Sequence, residues 1–165
     1  MSNMLFIFGA KYLYLVIIAV AGSYFLMQAR GAQKQIALLG AILLPLTYLA
    51  AKIAGMIYYN PRPFVQTGIA SLIPHVADNG FPSDHTLICA AITLLIYAFH
   101  KKLAIGLGVL TILVGLSRVA AGVHHLVDVL GSLLIALAVF IVIKQWVMPL
   151  VTKSKLYKKY LPQNR

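Results

Sequence analysis

The sequence predicts an all-α bundle of transmembrane helices that forms one domain over residues 1–165. Three observations predict this fold class. Apolar residues make up 61% of the chain and its mean hydropathy is +0.90, whereas soluble domains are about 45–50% apolar. The apolar residues are grouped in long segments. The charged residues fall mostly in short clusters between those segments, as the loop charges of membrane proteins do.

Five apolar segments are long enough, or nearly so, to supply the ~20 helical residues that cross a hydrocarbon core. They cover residues 11–28, 35–58, 85–99, 103–121 and 126–148. The third segment is short and is expected to gain a helical turn at each end. Residues 1–10 are apolar too, and are expected either to lie at the membrane interface or to extend the first helix.

Loop charges predict the orientation of the bundle. The chain has 14 Lys and Arg residues against three acids, a net charge of +11. The basic clusters follow the first, third and fifth segments, which places them on one side if all five segments span. The positive-inside rule makes that side cytoplasmic. Because the clusters form no single stripe, a nucleic-acid partner is not expected. The basic residues concerned are Arg30, Lys34, Lys101, Lys102, Lys153, Lys155, Lys158, Lys159 and Arg165.

The opposite, outer face carries most of the residues capable of chemistry. An ionisable group near membrane depth is costly, so a cluster of them indicates a function beyond packing. The only cysteine, Cys89, cannot by itself form an internal disulfide or a cysteine-based metal site. The outer face holds all three carboxylates, both mid-chain arginines and four of the five histidines: Asp78, Asp84, Asp128, Arg62, Arg118, His75, His85, His124 and His125.

The first motif is the stretch Tyr-Asn-Pro-Arg-Pro-Phe at residues 59–64. Two prolines bracket Arg62, and Pro63 favours extended backbone at the arginine. The motif therefore presents a guanidinium from a stiff turn, and the planar fork of that group suits phosphate oxygens. A juxtamembrane arginine that binds lipid headgroups is the alternative interpretation.

The second motif, Phe-Pro-Ser-Asp-His at residues 81–85, directly precedes the third segment. Ser83 or Asp84 can cap that helix, and Pro82 prevents its extension backwards. The N-terminus of a helix favours a bound phosphate, and His85 stands in the first turn beside such a site. Taken alone, this motif is more typical of a cap followed by an interfacial histidine than of a phosphate site.

The third motif is Ser117-Arg118, then five residues, His124, three residues and Asp128. His124 and Asp128 are four positions apart and share a face if the last helix begins this early. A carboxylate can accept the ring N–H of His124 and leave the other nitrogen free to attack. A buried structural contact is the alternative, yet Asp128 is the one acid within a predicted span.

Together and in this order, the three motifs resemble those of the type 2 phosphatidic acid phosphatase superfamily. The resemblance covers about half of the chain, from about Lys52 to Ser132. Four stretches look most like the bacitracin-resistance-type undecaprenyl pyrophosphate phosphatases, in which Asp often occupies the position of Asp84. They are residues 59–65, 72–75, 81–86 and 127–132.

The resemblance implies a role for each matching residue. His124 is similar to the family's nucleophile, which forms a phosphohistidine, and Asp128 matches the carboxylate that orients it. His85 matches the general acid and base at the leaving oxygen. No metal or other cofactor is expected, because the arginines supply the positive charge and the sequence lacks a carboxylate cluster for Mg²⁺. The groups that hold the phosphoryl oxygens are matched by Arg62, Ser83 and Arg118.

One position departs from the family pattern. The superfamily has a lysine seven residues before the motif arginine, where this chain has Gly55. Lys52 lies one turn earlier on about the same helical face, and is a further candidate for phosphate binding. His125 is not expected to act in catalysis. His75 and Asp78 are expected either to assist with a second phosphate or to be solvated or structural residues.

The resemblance implies hydrolysis of a lipid phosphate at the outer face of a bacterial cytoplasmic membrane. Undecaprenyl pyrophosphate is the expected substrate, returned to the monophosphate pool during cell-wall polymer synthesis. Phosphatidylglycerophosphate, phosphatidic acid and lipid A are alternatives for the same core. Outside the enzyme class, a histidine-ligated haem bundle or a non-catalytic lipid-binding protein remains open. No obligate protein partner is expected.

Overall fold

The computed structural model describes residues 2–153, and this part of the chain is almost entirely helical. A five-residue π-helical turn, Ile143–Val147, joins α7 to α8. The predicted all-α membrane bundle is confirmed. The helices are α1 (Ser2–Lys11), α2 (Leu13–Leu26), α3 (Arg30–Ile57), α4 (Pro63–Thr67), α5 (Asp84–Tyr97), α6 (Lys101–Ala120), α7 (Leu126–Val142) and α8 (Met148–Lys153).

The number of helices long enough to cross a membrane differs from the five predicted segments. Three stretches within residues 2–153 are sufficiently long and apolar: α3, α6, and the run from α7 through α8. The pair α1 and α2 provides a fourth if its 44° bend is accepted as part of one span. Helix α5 has only 14 residues, about 21 Å of helix, against a hydrocarbon core about 30 Å thick. It gains one residue at its start and loses two at its end relative to the predicted segment.

Helix α5 is nevertheless the centre of the bundle, because it packs against α2, α3, α6 and α7. One side of it contributes Cys89 and Ile96 to a buried cluster with Ile17 of α2 and Leu107 of α6. Its other side places Leu95 in a second cluster with α3 and α7. A short helix that is apolar on all sides is explained by burial among neighbours rather than by a full crossing of the bilayer.

Close packing around α5 depends on small residues, as is usual between membrane helices. A Cβ at Gly115 of α6 would lie 2.5 Å from Cγ1 of Val129 and 3.3 Å from Oγ1 of Thr86. A Cβ at Gly131 of α7 would lie 2.2 Å from the ring of Phe81. These two glycines let α6 and α7 approach the segment in which α5 begins.

The N-terminal segment extends the first helix with a 44° bend, which is one of the two expectations, and it also packs against α6. Ala10 is fully buried beside Ala121 and Val123. A Cβ at Gly9 would lie 2.1 Å from Oγ of Ser117, so glycine is required for this approach. Helix α1 therefore covers the end of α6 that carries Arg118. Met1 and the basic residues Lys155, Lys158, Lys159 and Arg165 lie outside the described residues.

Candidate active site

The end of α3, the start of α5, the end of α6 and the start of α7 meet at one end of the bundle. The three sequence motifs occupy these four helix termini and the loop between α3 and α5. This loop is tied to α3 by Asn79, whose Nδ2 donates to the carbonyl oxygens of Gly55 (2.8 Å) and Tyr58 (3.1 Å). The antiparallel arrangement of the helices thus brings together motifs that are far apart in sequence.

A tight turn between α6 and α7 positions His124. Gly122 has a φ of +74°, a left-handed conformation that glycine adopts at little cost. The N–H of Gly122 donates to the carbonyl of Val119 (2.9 Å), and that of Val123 donates to the carbonyl of Arg118 (3.3 Å). This pair of bonds is the Schellman arrangement that closes a helix. The chain reverses here, so that His124 faces the arginine six residues before it.

The two ring nitrogens of His124 meet partners of opposite type. Nδ1 lies 2.9 Å from the carbonyl oxygen of Gly80 and 3.3 Å from Oδ2 of Asp128. Nε2 lies 3.2 Å from Nη1 of Arg62 and 3.4 Å from Nη2 of Arg118. Because the first pair can only accept and the second pair can only donate, the proton belongs on Nδ1. Nε2 therefore keeps its lone pair, with Nη2 of Arg118 beside it. Nη1 of Arg62 is also 3.5 Å from Nδ1, so this guanidinium lies over the ring rather than in line with the lone pair.

Asp128 is a buried carboxylate whose hydrogen bonds come from several donors. Its Oδ1 accepts from Nδ2 of Asn60 at 2.7 Å, and its Oδ2 accepts from the backbone N–H of His125 at 2.8 Å. The predicted contact with His124 is present although α7 begins only at Leu126. The carboxylate lies in the first turn and reaches the preceding loop. A charge in this place is favoured by the positive end of the helix dipole.

Arg62 is almost completely buried, and all three of its nitrogens are engaged. Nε donates to Oδ1 of Asp78 at 2.7 Å. Nη1 donates to the carbonyl of Val123 at 2.8 Å and faces His124, while Nη2 donates to the carbonyl of Asn79 at 3.4 Å. Arg62 is 4% exposed and Asp78 is 56% exposed. A phosphate that binds Arg62 therefore has to compete with a carboxylate at the surface of the site.

Arg118 has fewer partners than Arg62. Its Nη1 donates to the carbonyl of Ala10 at 3.3 Å, which links the site to α1. Its Nη2 faces His124, and its buried Nε has no hydrogen-bond partner within residues 2–153. A buried guanidinium with an unsatisfied donor is suited to an incoming anion.

Helix α5 brings His85 and Ser83 to the same end of the bundle, but in different surroundings. The His85 ring packs edge-on against Tyr14 at a centroid distance of 4.7 Å and lines a cavity beside Asp84. Ser83 is the N-cap residue of α5, as predicted, but its side chain makes no capping bond. Its buried hydroxyl accepts from Oγ1 of Thr86 at 3.1 Å instead. The described hydrogen bonds therefore link Ser83 to Thr86 rather than to the arginines.

Lys52 lies at the edge of the site. It is exposed, and its Nζ is 4.9 Å from the centroid of the Tyr48 ring. It lines a polar pocket of about 260 Å³ together with Arg62, Asp78 and Asp84. The glycine at the usual lysine position is in a crowded place, because a Cβ at Gly55 would lie 3.0 Å from the carbonyl oxygen of Phe81.

The loop between α3 and α5 contributes two ionisable side chains. The ring of His75 lies 6.1 Å from that of His124, and burial together with the charge of Arg62 lowers the pKa of His75. Burial alone would raise the pKa of Asp78, but the hydrogen bond and charge of Arg62 hold it below its usual value. Within residues 2–153, no group of three or more His, Cys, Asp or Glu side chains has a spacing suited to a metal ion.

Burial also lowers the pKa of His124. The hydrogen bond to Asp128 opposes this effect, while the charges of Arg118 and Arg62 add to it. The imidazole is thus held neutral at pH 7, because the two guanidinium groups beside it oppose a second positive charge.

Several residues of the site were not predicted from the sequence. Asn60 binds Asp128, and Asn79 accepts from the backbone N–H groups of Asn60 and Phe81. Gly80 provides the carbonyl for His124, and a Cβ there would lie 3.1 Å from Oδ2 of Asp128. Ser132 donates to the carbonyls of Ser83 and Asp128, which joins α5 to α7. The Asn79-Gly80 pair is a turn signal in the sequence.

Two proteins of Bacillus subtilis are similar in sequence to this chain. Undecaprenyl-diphosphatase BcrC of Bacillus subtilis (strain 168) is 43% identical over 84 residues, which cover 51% of this chain and 44% of BcrC. Phosphatidylglycerophosphatase B of the same organism is 36% identical, over 48% of this chain and 44% of that protein. The chain therefore spans less than half the length of these two relatives. The predicted likeness to the bacitracin-resistance type is confirmed.

The fold is shared with a solved structure. The crystal structure of Aquifex aeolicus LpxE superposes with a TM-score of 0.70 at 21% identity, and the match covers 87% of each chain. The family model of the PAP2 superfamily matches residues 34–151, which include every helix terminus of the site described above. Because this match covers most of the chain and contains all three motifs in order, the protein belongs to the PAP2 superfamily.

Proposed function

We propose that the protein is a metal-independent lipid phosphatase that works through a phosphohistidine on His124. One observation carries the proposal. Nδ1 of His124 faces the carbonyl of Gly80 and the carboxylate of Asp128, so Nε2 keeps its lone pair, and the guanidinium groups of Arg62 and Arg118 lie within 3.5 Å of the ring. A neutral nucleophile beside two fixed cations is the arrangement that phosphoryl transfer requires.

In the first step, Nε2 of His124 attacks the terminal phosphorus in line with the leaving oxygen. The N–P bond forms as the P–O bond breaks, and the guanidinium groups of Arg62 and Arg118 stabilise the negative charge on the phosphoryl oxygens. Burial and the charge of Arg118 lower the pKa of His85 to about 4 in the substrate-free site. His85 therefore takes up a proton when the anionic substrate binds, and then donates it to the leaving oxygen. Asp128 stabilises the charge that develops on the imidazole, because its Oδ2 faces the ring N–H.

In the second step, water hydrolyses the phosphohistidine. His85, now neutral, accepts a proton from the attacking water, whose oxygen bonds to phosphorus as the N–P bond breaks. Inorganic phosphate leaves, and His124 and His85 return to their initial protonation states. Ser83 is proposed to assist phosphate binding through the N-terminal end of α5, and Lys52 from the edge of the pocket.

The nucleophile is tested with purified full-length protein and its His124→Ala variant. Phosphate release from a lipid pyrophosphate is expected to fall by at least about 10³-fold, in line with the loss of a nucleophile in other enzymes. His100→Asn is the matched control, since His100 caps α6 at the opposite end of the bundle. Acid-quenched wild type should carry a phosphohistidine visible by ³¹P NMR. Preserved turnover in His124→Ala would refute the mechanism.

The proposed substrate is undecaprenyl pyrophosphate, which would be returned to the monophosphate. The likeness to undecaprenyl-diphosphatase BcrC supports this choice, since it is the higher of the two sequence identities given above. A pyrophosphate also suits the polar pocket that extends from Arg62 toward Lys52. The second phosphate of the substrate would lie in that pocket.

A glycerolipid phosphate is the second candidate substrate, supported by the likeness to phosphatidylglycerophosphatase B. Phosphatidylglycerophosphate, phosphatidic acid and lipid A would all use the same chemistry. Phosphate release from a panel of detergent-solubilised lipids separates them. Preference for undecaprenyl pyrophosphate is expected, and preference for a glycerolipid monophosphate would replace that substrate but keep the mechanism. A non-catalytic lipid-binding protein would release phosphate from none of the panel.

The active site is proposed to lie on the outer face of a bacterial cytoplasmic membrane. Arg30 and Lys34 begin α3, Lys101 and Lys102 begin α6, and Lys153 ends α8. These residues lie at the end of the bundle opposite to His124. The positive-inside rule then supports a cytoplasmic location for the basic end.

A further inference from the structure

Asn60, the second residue of the first motif, contacts two partners of the nucleophile at once. Its side-chain Nδ2 donates to Oδ1 of Asp128 at 2.7 Å. Its backbone carbonyl accepts from the N–H of Gly80 at 2.8 Å. Asp128 and Gly80 are the two acceptors that lie at Nδ1 of His124. One residue therefore holds both of the groups that fix the proton of the imidazole.

The backbone around Asn60 is itself anchored. The N–H of Asn60 donates to Oδ1 of Asn79 at 2.9 Å, and Nδ2 of Asn79 donates to the end of α3. The next residue, Pro61, forms an antiparallel bridge with Asn79, and its carbonyl oxygen lies 3.2 Å from Nε2 of His125. The amide of Asn60 thus reaches Asp128 from a segment that is tied to α3 and to the start of α7.

An uncharged donor suits this position for a chemical reason. Asp128 is fully buried, and a buried carboxylate needs hydrogen-bond donors in order to remain ionised. An amide supplies a donor and leaves the negative charge of Asp128 available to the imidazolium that forms when His124 attacks. Because Oδ1 accepts from the amide, Oδ2 is the oxygen that faces His124 and the backbone N–H of His125.

We propose that Asn60 is a positioning residue for the nucleophile, which keeps Asp128 ionised and turned toward His124 and keeps the Gly80 carbonyl at the same ring nitrogen. The inference rests on the proposed phosphohistidine mechanism and adds a residue to it. Asn60 acts through Asp128 and Gly80 and not through contact with the phosphoryl group. Its loss should therefore lower kcat and leave KM nearly unchanged.

Asn60→Asp gives a sharp test, because a carboxyl group has almost the shape of the amide but donates a hydrogen bond only when it is protonated. The negative charge of Asp128 would raise the pKa of the introduced group. The charge of Arg62 opposes this effect less strongly, since Asp78 already pairs with its Nε. The other ionisable side chains close to position 60 are those of His124 and His125.

The experiment compares kcat of each variant with that of wild type at the same pH, so that the titration of His124 itself cancels. For Asn60→Asp the ratio is expected to be highest in acid and to fall at least about tenfold between about pH 5 and pH 8, the effect of a lost hydrogen bond to a charged group. Asn60→Ala lacks the donor at every pH, so its ratio should be low and constant.

Gln66→Glu is the matched control. It makes the same change from amide to carboxylate on the neighbouring helix α4, at an exposed side chain. Its ratio should stay within about twofold of one at every pH, the range of a surface substitution. Thermal unfolding in detergent establishes that each variant is folded.

NMR of histidine-labelled protein gives a second reading that needs no substrate. The Hδ1 signal of His124 reports on the bond to its two acceptors. In Asn60→Ala this signal is expected to move upfield and to exchange faster with water, because Asp128 is no longer held in place. This measurement also carries the test if Asn60→Asp does not fold.

Two outcomes would overturn the role of Asn60. A ratio for Asn60→Asp that is independent of pH would show that the residue only supports the loop. An unchanged Hδ1 signal in Asn60→Ala would show that Asp128 and Gly80 need no help from it. If wild type releases no phosphate from a lipid pyrophosphate, the proposed function fails instead, and the NMR result still decides whether Asn60 positions His124.

Discussion

The imidazole of His124 has little freedom to change its tautomer. Two oxygen acceptors lie at Nδ1 and the guanidinium of Arg118 lies at Nε2, so moving the proton to Nε2 would oppose these three neighbours. Asp128 in turn is fixed by Asn60 and by the backbone of His125. At the scale of single residues, the site therefore determines which nitrogen of His124 keeps its lone pair before any substrate binds.

The titration of His124 tests this arrangement directly. Burial and the two arginines lower its pKa, so the ring is expected to titrate below its ordinary value of about 6.5. Below that pH the nucleophile is lost by protonation, and above it the lone pair is available. Histidine-labelled protein in detergent can be followed by NMR, with His124→Gln to assign the signal. A midpoint above 6.5 would show that Asp128 outweighs the arginines.

Asp78 offsets part of the positive charge that Arg62 offers to a phosphate, because it accepts from Nε while Nη1 faces His124. Asp78→Asn removes the competing charge, so KM for a lipid pyrophosphate is expected to fall about two- to fivefold, the range of an exposed ion pair. The value of kcat should change little. Asp78→Glu keeps the charge and serves as the control. A raised KM together with a lowered kcat would show that Asp78 holds Arg62 in its active position instead.

Among the structural elements, the α6–α7 turn positions His124. Gly122 lets the chain reverse direction while the carbonyls of Val119 and Arg118 accept the hydrogen bonds that close α6. The loop before α5 supplies the carbonyl of Gly80, which lies 2.9 Å from Nδ1 of His124. A Cβ at Gly80 would lie 3.1 Å from Oδ2 of Asp128, so glycine suits this close approach. Both elements depend on a glycine at a single position, and both hold partners of the same imidazole.

Replacement of Gly122 by alanine is predicted to damage stability and activity together. The left-handed backbone with φ +74° costs an L-residue about 1–2 kcal/mol, so the unfolding midpoint should fall and kcat with it. Gly106→Ala is the control, because a helical glycine in open space is expected to gain about 0.5–1 kcal/mol from the same change. Thermal unfolding in detergent measures both. Shifts of the same sign would contradict this explanation of the turn.

The two ends of the bundle carry different kinds of polar residue. The end with His124 combines carboxylates, histidines and two buried arginines, while the other end carries the exposed basic residues that begin α3 and α6. A charge asymmetry of this kind fixes the orientation of a bundle in the membrane. Helix α1 is also linked to α6, because the carbonyl of Ala10 accepts a hydrogen bond from Nη1 of Arg118.

Cysteine labelling on intact cells tests the orientation. Val76, 71% exposed, lies in the loop beside the site, and Lys101 lies at the basic end. Val76→Cys is expected to react with a membrane-impermeant maleimide, and Lys101→Cys only after the cells are permeabilised. The native Cys89 is fully buried, so the unsubstituted protein serves as the unlabelled control. The reverse labelling pattern would place the site on the cytoplasmic face.

The sequence by itself determined the membrane bundle, the family and the motif residues that the fold brings together at one end of the bundle. Hydropathy reports directly on burial in lipid, and the motifs Arg62, His85, Arg118, His124 and Asp128 have spacings that local structure explains. Only the tertiary structure showed that the Ser83 hydroxyl accepts a hydrogen bond from Thr86. It also showed that the carboxylate of Asp78 accepts one from Nε of Arg62. It further showed that α1 packs on α6 and that Nδ2 of Asn60 donates to Asp128. Apart from the Ser83–Thr86 bond, which is local, these features depend on contacts between segments distant in sequence, which neither hydropathy nor residue spacing encodes.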